Sequence, residues 1–213
     1  MVLTLFIPIL LASIVLHEVA HAWQARREGD HTAEQLGRIT LNPFAHLDWM
    51  GSFFVPLILY STGGLIFGWA KPVPIDPRNF RSHPWSDIRV SLAGIVSNLA
   101  LALVLALAAG PLVSFIGGGS ALGQTVGTAL AYGIFLNLIL AFFNLLPIPP
   151  LDGSHVVAHL LPAQWAGPYR RFGRYGVLAL IAVVFFMPGV LNVLLTPVDI
   201  AMGWVDSWIR LWR

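Results

Sequence analysis

The residues of this 213-residue chain best suited to chemistry are two histidines and a glutamate in the run HEVAH at positions 17–21. On an α-helix, residues four positions apart lie on the same face, so both imidazoles can bind one Zn²⁺ at about 2.0–2.1 Å. Glu18 then lies beside the metal, where it can take a proton from a zinc-activated water. The pattern predicts His17 and His21 as zinc ligands and Glu18 as general base. The alternative is a polar patch that is paired inside a helical bundle without a metal.

A catalytic zinc site of this kind needs a third protein ligand. Gln24 and Arg27 stand where the extended HExxHxxGxxH pattern requires glycine and histidine. A distal glutamate is excluded as well, because the only later glutamates, Glu28 and Glu34, lie in the adjoining loop. The third ligand is therefore a histidine or an aspartate from elsewhere in the chain.

Asp152 is the best candidate for this third ligand. Three prolines within residues 147–150 cannot continue an α-helix, so the chain unwinds just before the aspartate. Gly153 permits the tight turn that would bring the carboxylate inward.

Two segments of the chain together carry a family resemblance. HEVAH at 17–21 and NLLPIPPLDG at 144–153 resemble the HExxH and NxxPxPxxDG motifs of the site-2 protease family, the M50 zinc metalloproteases that cut substrates within the membrane. Between them, AGIVSN at 93–98 is similar to the family's AGPxxN-type segment, with Ile95 in place of the usual proline. The resemblance runs from about residue 10 to about residue 160, and it looks closest to compact bacterial members without a PDZ or CBS domain.

The resemblance implies one Zn²⁺ per chain, bound by His17, His21 and Asp152, with Glu18 as general base. It also implies that Asn144 positions the substrate or stabilises the developing oxyanion. The expected function is that of an intramembrane zinc metalloprotease, which hydrolyses peptide bonds in or near transmembrane segments of membrane proteins. Such segments and the lipid bilayer are its expected partners, while the identity of the substrate stays open.

The composition fits a chain whose solvent is the bilayer. Hydrophobic residues make up 57% of the sequence and charged residues only 10%, and the mean hydropathy is +0.76. A soluble domain carries roughly 25% charged residues, so an ordinary soluble fold is excluded. The net charge of +2 rests on basic residues in short loops, which indicates membrane orientation and no nucleic-acid partner. Because the chain has no cysteine, thiolate nucleophiles and cysteine-ligated metals are excluded too.

Five stretches are apolar enough to enter a membrane, whose hydrocarbon core of about 30 Å needs roughly 20 helical residues. Three of them are residues 2–23, 49–70 and 175–195, and the charge-free run 90–151 is long enough to contain the other two. The first is predicted to be a retained helix and not a cleaved signal peptide, because it carries the histidine pair. The sequence thus predicts an all-α polytopic membrane protein with about four full transmembrane helices.

To bind one metal, His17 and Asp152 must lie at the same depth in the membrane, and they can do so if residues 49–70 form a re-entrant segment. Pro56 and the glycines at 63–64 allow such a segment where protein covers the backbone. Three polar loops then share one side, and they hold ten of the twelve basic residues: Arg26, Arg27, Arg38, Lys71, Arg78, Arg81, Arg89, Arg170, Arg171 and Arg174. The positive-inside rule places these loops and the active site on the cytoplasmic side, in a multi-pass protein of the bacterial cell membrane.

The chain is predicted to have a single transmembrane metalloprotease domain over residues 1–198 and an interfacial amphipathic tail over residues 199–213. The tail places Trp204, Trp208 and Trp212 four residues apart on one helical face. Its arginines could reach the lipid headgroups.

Residues 68–75, GWAKPVPI, form either a plain connector or a short β-strand edge beside the site. Such an edge would hold an unwound substrate by β-addition. The expected substrate-binding residues are Lys71, Pro72 and Val73 in this segment, together with Asn98.

The roles of three further histidines, and the oligomeric state, stay open. His155 and His159 follow Asp152 at +3 and +7, so they either support the zinc ligands or belong to a second metal site. His46 either lies in a turn or approaches the active site. The alternative function is that of a membrane metal-binding or transport protein that uses the same His/Asp cluster. Replacing Glu18 by glutamine separates the two functions, because it should stop cleavage and leave zinc bound.

Overall fold

The computed structural model describes residues 2–54, 58, 71–186 and 188–212. Within them the chain forms seven α-helices: α1 Val2–Glu28, α2 Thr32–Gln35, α3 Trp85–Ile116, α4 Ala121–Asn144, α5 Asp152–Leu160, α6 Ala163–Phe186 and α7 Pro188–Arg210. Two 3₁₀ turns, Pro43–His46 and Pro77–Asn79, and a π-helical turn, Trp49–Phe54, lie between α2 and α3. This described part of the chain has no strand, so the predicted all-α fold class is confirmed.

Three of the described helices are long and apolar enough to cross a membrane, namely Thr4–Glu28 within α1, the whole of α3 and the whole of α4. At 1.5 Å per residue, the 24 residues of α4 extend about 36 Å, which exceeds the hydrocarbon thickness of about 30 Å. The chain is therefore an integral membrane protein.

These three helices run alternately up and down. Arg89 at the start of α3 pairs with Glu28 at the end of α1, while Asn98 further along α3 bonds back to His17, so α1 and α3 are antiparallel. α4 is parallel to α1, because Phe6 contacts Tyr132 and, further along both helices, Asn137 donates to Ser13 Oγ at 2.8 Å. The end of α1, the start of α3 and the end of α4 thus lie at one end of the bundle, which we call the polar end.

The buried and the exposed faces of α3 differ in the size of their side chains. Ala102 and Ala109 are buried in the core of the bundle, where small side chains let helices approach closely. Leu103, Val104 and Leu107 are more than half exposed on the outer face. Large apolar side chains that face outward suit contact with lipid, so this distribution matches a membrane solvent.

One helix is predicted over residues 175–195. The described residues of this stretch are helical on both sides of residue 187, which lies outside the described part of the chain: α6 is described to Phe186 and α7 from Pro188.

Residues 199–213 were predicted to form a separate interfacial tail, but residues 199–210 continue α7 without a break. The apolar side chains of α7 pack along α3 and α4: Val198, Ala201, Met202, Val205 and Ile209. Trp212 lies against Gly110 of α3, where an added Cβ would come within 2.3 Å of its ring. The second half of α7 is therefore part of the helical bundle.

The predicted re-entrant segment lies largely outside the described residues, since only 49–54 and 58 of its residues belong to them. The same holds for residues 68–70 of the predicted strand edge. Residues 71–75 are described, and they have no regular secondary structure. The strand prediction is therefore wrong for these five residues.

Candidate active site

Two histidines of α1 and the first residue of α5 converge at the polar end of the bundle. His17 Nε2 lies 3.0 Å from His21 Nε2, and Asp152 Oδ2 lies 3.1 Å from the first and 3.2 Å from the second of these nitrogens. Tetrahedral zinc with bonds of 2.0–2.1 Å places its ligand atoms about 3.3 Å apart. The three atoms could therefore hold a zinc ion after shifts of only a few tenths of an ångström.

Both imidazole rings are fixed through their second nitrogen. His21 Nδ1 lies 2.7 Å from the carbonyl oxygen of Val90, which can only accept, so this nitrogen carries the proton and donates it. His17 Nδ1 lies 3.2 Å from Asn98 Oδ1 and donates to that amide oxygen. In the neutral tautomer with the proton on Nδ1, each Nε2 is available to bind a metal, and support of this kind orients the ligands of metal sites.

Gly94 lets α3 approach this histidine pair. A Cβ added at Gly94 would lie 2.4 Å from His21 Nε2 and 2.5 Å from His17 Cε1. Only a residue without a side chain can occupy this position next to the rings. The run AGIVSN at 93–98 thus supplies both the close approach, at Gly94, and the oxygen that accepts from His17, at Asn98.

Asp152 is brought to the histidines by the turn between α4 and α5. The prolines of residues 147–150 separate the two helices, and Leu151 in extended conformation is the N-cap residue of α5. Gly153 packs against the carbonyl oxygen of Leu145, where a Cβ would come within 2.2 Å. Asp152 Oδ2 is buried and makes no well-aligned hydrogen bond within the described residues; its polar neighbours are the Nε2 atoms of His17 and His21. A buried carboxylate oxygen that faces two imidazole nitrogens fits a metal ligand.

Glu18 lies one residue along α1 from His17, and a backbone group from a distant segment holds its carboxylate. The N–H of Val73 donates to Glu18 Oε2 at 2.8 Å. The segment is itself anchored, because Lys71 N donates to the carbonyl oxygen of His46 at 2.8 Å and Arg38 Nη2 donates to the carbonyl oxygen of Lys71 at 2.9 Å. The predicted substrate-binding residues 71–73 therefore lie directly beside the predicted general base.

Comparison with known proteins gives the family of the chain. The model of peptidase family M50 matches residues 5–123 and 108–188, which is most of the sequence. The chain belongs to peptidase family M50. This M50 peptidase is 38% identical to YwhC of Bacillus subtilis, which is named as a zinc metalloprotease. The match covers 84% of the M50 peptidase and 78% of YwhC.

More distant relatives carry names of the same kind. Rip2 of Mycolicibacterium smegmatis is 34% identical over 85% of this M50 peptidase and 66% of its own length. A zinc metalloprotease named MJ0611, from Methanocaldococcus jannaschii, is 28% identical over 68% of the chain. No solved structure matches the chain.

The structure gives the contacts of the two predicted asparagines of the M50 peptidase. Asn98, predicted to bind substrate, is 1% exposed and lies behind His17, so it supports a candidate metal ligand. Asn144, the predicted oxyanion residue, is half-buried at the end of α4. Its amide nitrogen donates to the carbonyl oxygen of Leu140, one turn earlier in its own helix, at 2.9 Å.

Asp30 is a structural residue of the M50 peptidase that the sequence reasoning missed. It is 1% exposed, and its carboxylate accepts from the backbone and hydroxyl of Thr32, the backbone N–H of Asp76 and the side chain of Asn79. Burial alone would raise the pKa of Asp30, but these hydrogen bonds outweigh it and hold the pKa below its ordinary value. Asp30 thus anchors residues 71–80 to the end of α1. The only sequence signal was an acidic residue directly after a helix-ending glycine.

The side chains of the three histidines left open by the sequence have partners outside the group of His17, His21 and Asp152. His46 is buried with Nε2 2.9 Å from the carbonyl oxygen of Thr40, which gives it a role in the loop after α2. His155 and His159 of α5 do not join Asp152 but face Asp87 near the start of α3.

Proposed function

We propose that this M50 peptidase is an intramembrane zinc metalloprotease that hydrolyses peptide bonds in or near the transmembrane segments of membrane proteins. One observation carries the proposal: His17 and His21, beside Glu18 on a helix long and apolar enough to cross a membrane, converge with Asp152 of α5 on a single point. The names of the relatives, which specify zinc and proteolysis, support the same reaction.

His17, His21 and Asp152 would hold one catalytic Zn²⁺. When bound there, the ion polarises the scissile carbonyl and lowers the pKa of water. Glu18 accepts the proton of the attacking water and passes it to the leaving amine, which is a general-base and then a general-acid role. The N–H of Val73 donates to Glu18 Oε2 at 2.8 Å, which fixes the orientation of the carboxylate.

Asn144 is proposed to stabilise the developing oxyanion or to position the substrate. Its position at the end of α4, immediately before the turn that carries Asp152, supports this role. The amide nitrogen has to leave the carbonyl oxygen of Leu140 to donate to a substrate, so this function requires a side-chain rotation.

The substrate is proposed to run beside residues 71–73 in an unwound form. Lys71 and Pro72 are exposed and can contact it, whereas the Val73 side chain is buried against Ala22 and Ala33. The backbone N–H groups of Lys71 and Val73 already have acceptors. Side-chain contacts with Lys71 and Pro72 therefore contribute more to substrate binding than backbone pairing along this segment.

The topology we propose has four full crossings and a re-entrant segment at 49–70, with the active site toward the cytoplasmic side of a bacterial cell membrane. The pairing of Glu28 with Arg89 supports it, because the chain leaves α1 and enters α3 on the same side. The basic residues of the polar end support the cytoplasmic orientation. One transmembrane domain includes α7, whose apolar side chains pack into the bundle.

The decisive experiment compares the unmutated protein with Glu18→Gln after reconstitution with a single-pass model protein that has a glycine-proline break in its membrane segment. Cleavage, read by mass spectrometry of the fragments, should fall at least 100-fold in the variant while zinc content stays at the unmutated level. Glu34→Gln is the matched control, because Glu34 is an exposed glutamate outside the site. Equal cleavage by the Glu18→Gln protein would refute the assignment. Zinc flux into the vesicles without cleavage would support a transporter instead.

A further inference from the structure

A second group of potential ligands lies where α5 meets the start of α3. His83, Asp87 and His159 each place a ligand atom within 4.8 Å of the other two. Asp87 Oδ2 lies 2.6 Å from His159 Nε2, and the ring centroids of His83 and His159 are 5.0 Å apart. His155 Nδ1 lies 3.6 Å from the same oxygen of Asp87. Three histidines therefore surround one carboxylate.

The spacing of these residues repeats that of the first site. His155 and His159 are four residues apart on α5, so their rings lie on one helical face, as those of His17 and His21 do on α1. Asp87, in the first turn of α3, faces them from the neighbouring helix. A histidine pair on one helix and an aspartate from another element thus occur twice in this chain.

We propose that His83, Asp87 and His159 bind a second Zn²⁺ ion, with His155 as the fourth ligand. Imidazole and carboxylate are zinc ligands, and a set of four protein ligands is typical of a structural site. The side chains of Asp87 and His159 are 12% and 7% exposed, so the two central ligands are shielded from water. The oxygen and nitrogen now 2.6 Å apart have to separate to about 3.3 Å, and the exposed His83 and His155 complete the site from outside.

The ion would tie α5 to the start of α3. Asp152, the third ligand of the active site, is the first residue of α5, one turn before His155. A metal held between Asp87 and the histidines of α5 would therefore fix the position of Asp152. The second site is structural, and it acts on the first through α5.

Arg170 provides an independent test of the charge at this site. Its Nη2 lies 3.4 Å from His159 Nδ1, and the side chain is exposed. A guanidinium so close opposes a cation on the same ring. It must also move away, because a histidine that binds metal through Nε2 carries its proton on Nδ1. Arg170→Gln should therefore bind zinc several-fold more tightly at the second site.

The experiment titrates zinc into metal-stripped protein that carries His17→Asn and His21→Asn, which removes the first site. We expect one zinc per chain in this background. His83→Phe, which keeps the ring contact with His159, should lower the zinc affinity at least tenfold, and His159→Gln should abolish binding. His31→Phe is the matched control, because His31 is an exposed histidine that contacts Glu34. Its titration should not change.

The same variants in the unmutated background guard against misfolding of the double variant. Zinc content should fall from two per chain to one in His83→Phe and stay at two in His31→Phe. One zinc per chain in both proteins, or no binding in the His17→Asn/His21→Asn background, would overturn the second site and leave the proposed protease function untouched. A change from two to one in a protein that cleaves nothing would support the second site and count against the protease.

Discussion

Replacing Gly94 by alanine should damage the active site while leaving the helix that carries it intact. The added Cβ would lie 2.4 Å from His21 Nε2, 2.5 Å from His17 Cε1 and 2.7 Å from His17 Nδ1. Ordinary contacts between such atoms begin near 3.5 Å, so the rings or the two helices have to separate by about 1 Å. The rings cannot turn freely, because His21 is bonded to Val90 and His17 to Asn98.

The magnitude follows from the narrow tolerance of metal sites. Ligand distances in zinc sites hold to within about 0.2 Å, so a shift of about 1 Å removes a ligand from the site. Disturbing only the partners that orient a ligand already costs 10–100-fold in metal affinity or activity. Gly94→Ala should therefore lower zinc affinity by more than 100-fold. Helix propensity acts in the opposite direction, since alanine stabilises a helix over glycine by about 0.5–1 kcal/mol.

The assay is competition for zinc with a chelator, together with cleavage of the model substrate. It is run in the His159→Gln background, so that zinc at the second site does not contribute. Gly127→Ala is the matched control, because its Cβ would meet only Val113 Cγ2, at 3.6 Å, an ordinary contact. If Gly94→Ala kept the zinc affinity and cleavage rate of the control, the close approach of α3 to the histidines would be refuted.

Two further predictions concern residues that position the site. Asn98→Leu removes the acceptor of His17 Nδ1 and should lower zinc affinity 10–100-fold. Asn98→Asp keeps an oxygen at this position and should lower the affinity less. Equal losses in the two variants would contradict the hydrogen bond. Asp30→Asn should lower the stability of the detergent-solubilised protein by about 2–3 kcal/mol, measured as a lower Tm, because it weakens the hydrogen bonds to Thr32 and Asp76. The pKa of Asp30 is below its unfolded value of about 3.9, so its stabilisation is present above about pH 4 and is lost as the pH falls through the folded pKa. The Tm difference between the two proteins should therefore shrink in acid, and a constant difference would contradict this role.

The ligand set was predictable because its geometry is local. The spacing of His17 and His21 places both rings on one face of any helix, whatever the helix packs against. Asp152 was predictable because prolines end a helix just before it. It could join the two histidines once the chain returned to their depth in the membrane. The structure brings these three residues together as expected.

The supporting residues could not be assigned in the same way. Asn98 lies 81 positions from His17, and its role depends on the register between two antiparallel helices. A shift of one residue would turn Asn98 away from the ring and place another side chain against it. The sequence marks Gly94 and Asn98 as notable, but only the packing of α3 on α1 makes one a point of close approach and the other an acceptor.

The C-terminal region shows a pattern that fits two environments. Tryptophans four residues apart define one face of a helix, and such a face suits either a lipid interface or a groove between helices. In the structure Trp212 lies against Gly110, with Trp208 stacked edge-on beside it at 5.6 Å. Gly110 of α3 decides between the two environments, and the sequence of the tail alone does not contain that information.

The scarcity of charge in this chain makes the pairing of its polar groups informative. Ionisable groups within membrane helices cost on the order of 2.5–3.5 kcal/mol each, so unpaired ones are rare. His21 meets Val90, His17 meets Asn98, and Glu18 meets the N–H of Val73. Each group is satisfied on one side, which leaves the two Nε2 atoms and the Asp152 oxygen directed at one another. Because both Nδ1 atoms have their own oxygen partners, these three metal-ligand atoms face a common point, and that arrangement favours a metal site over the patch that the sequence left as an alternative.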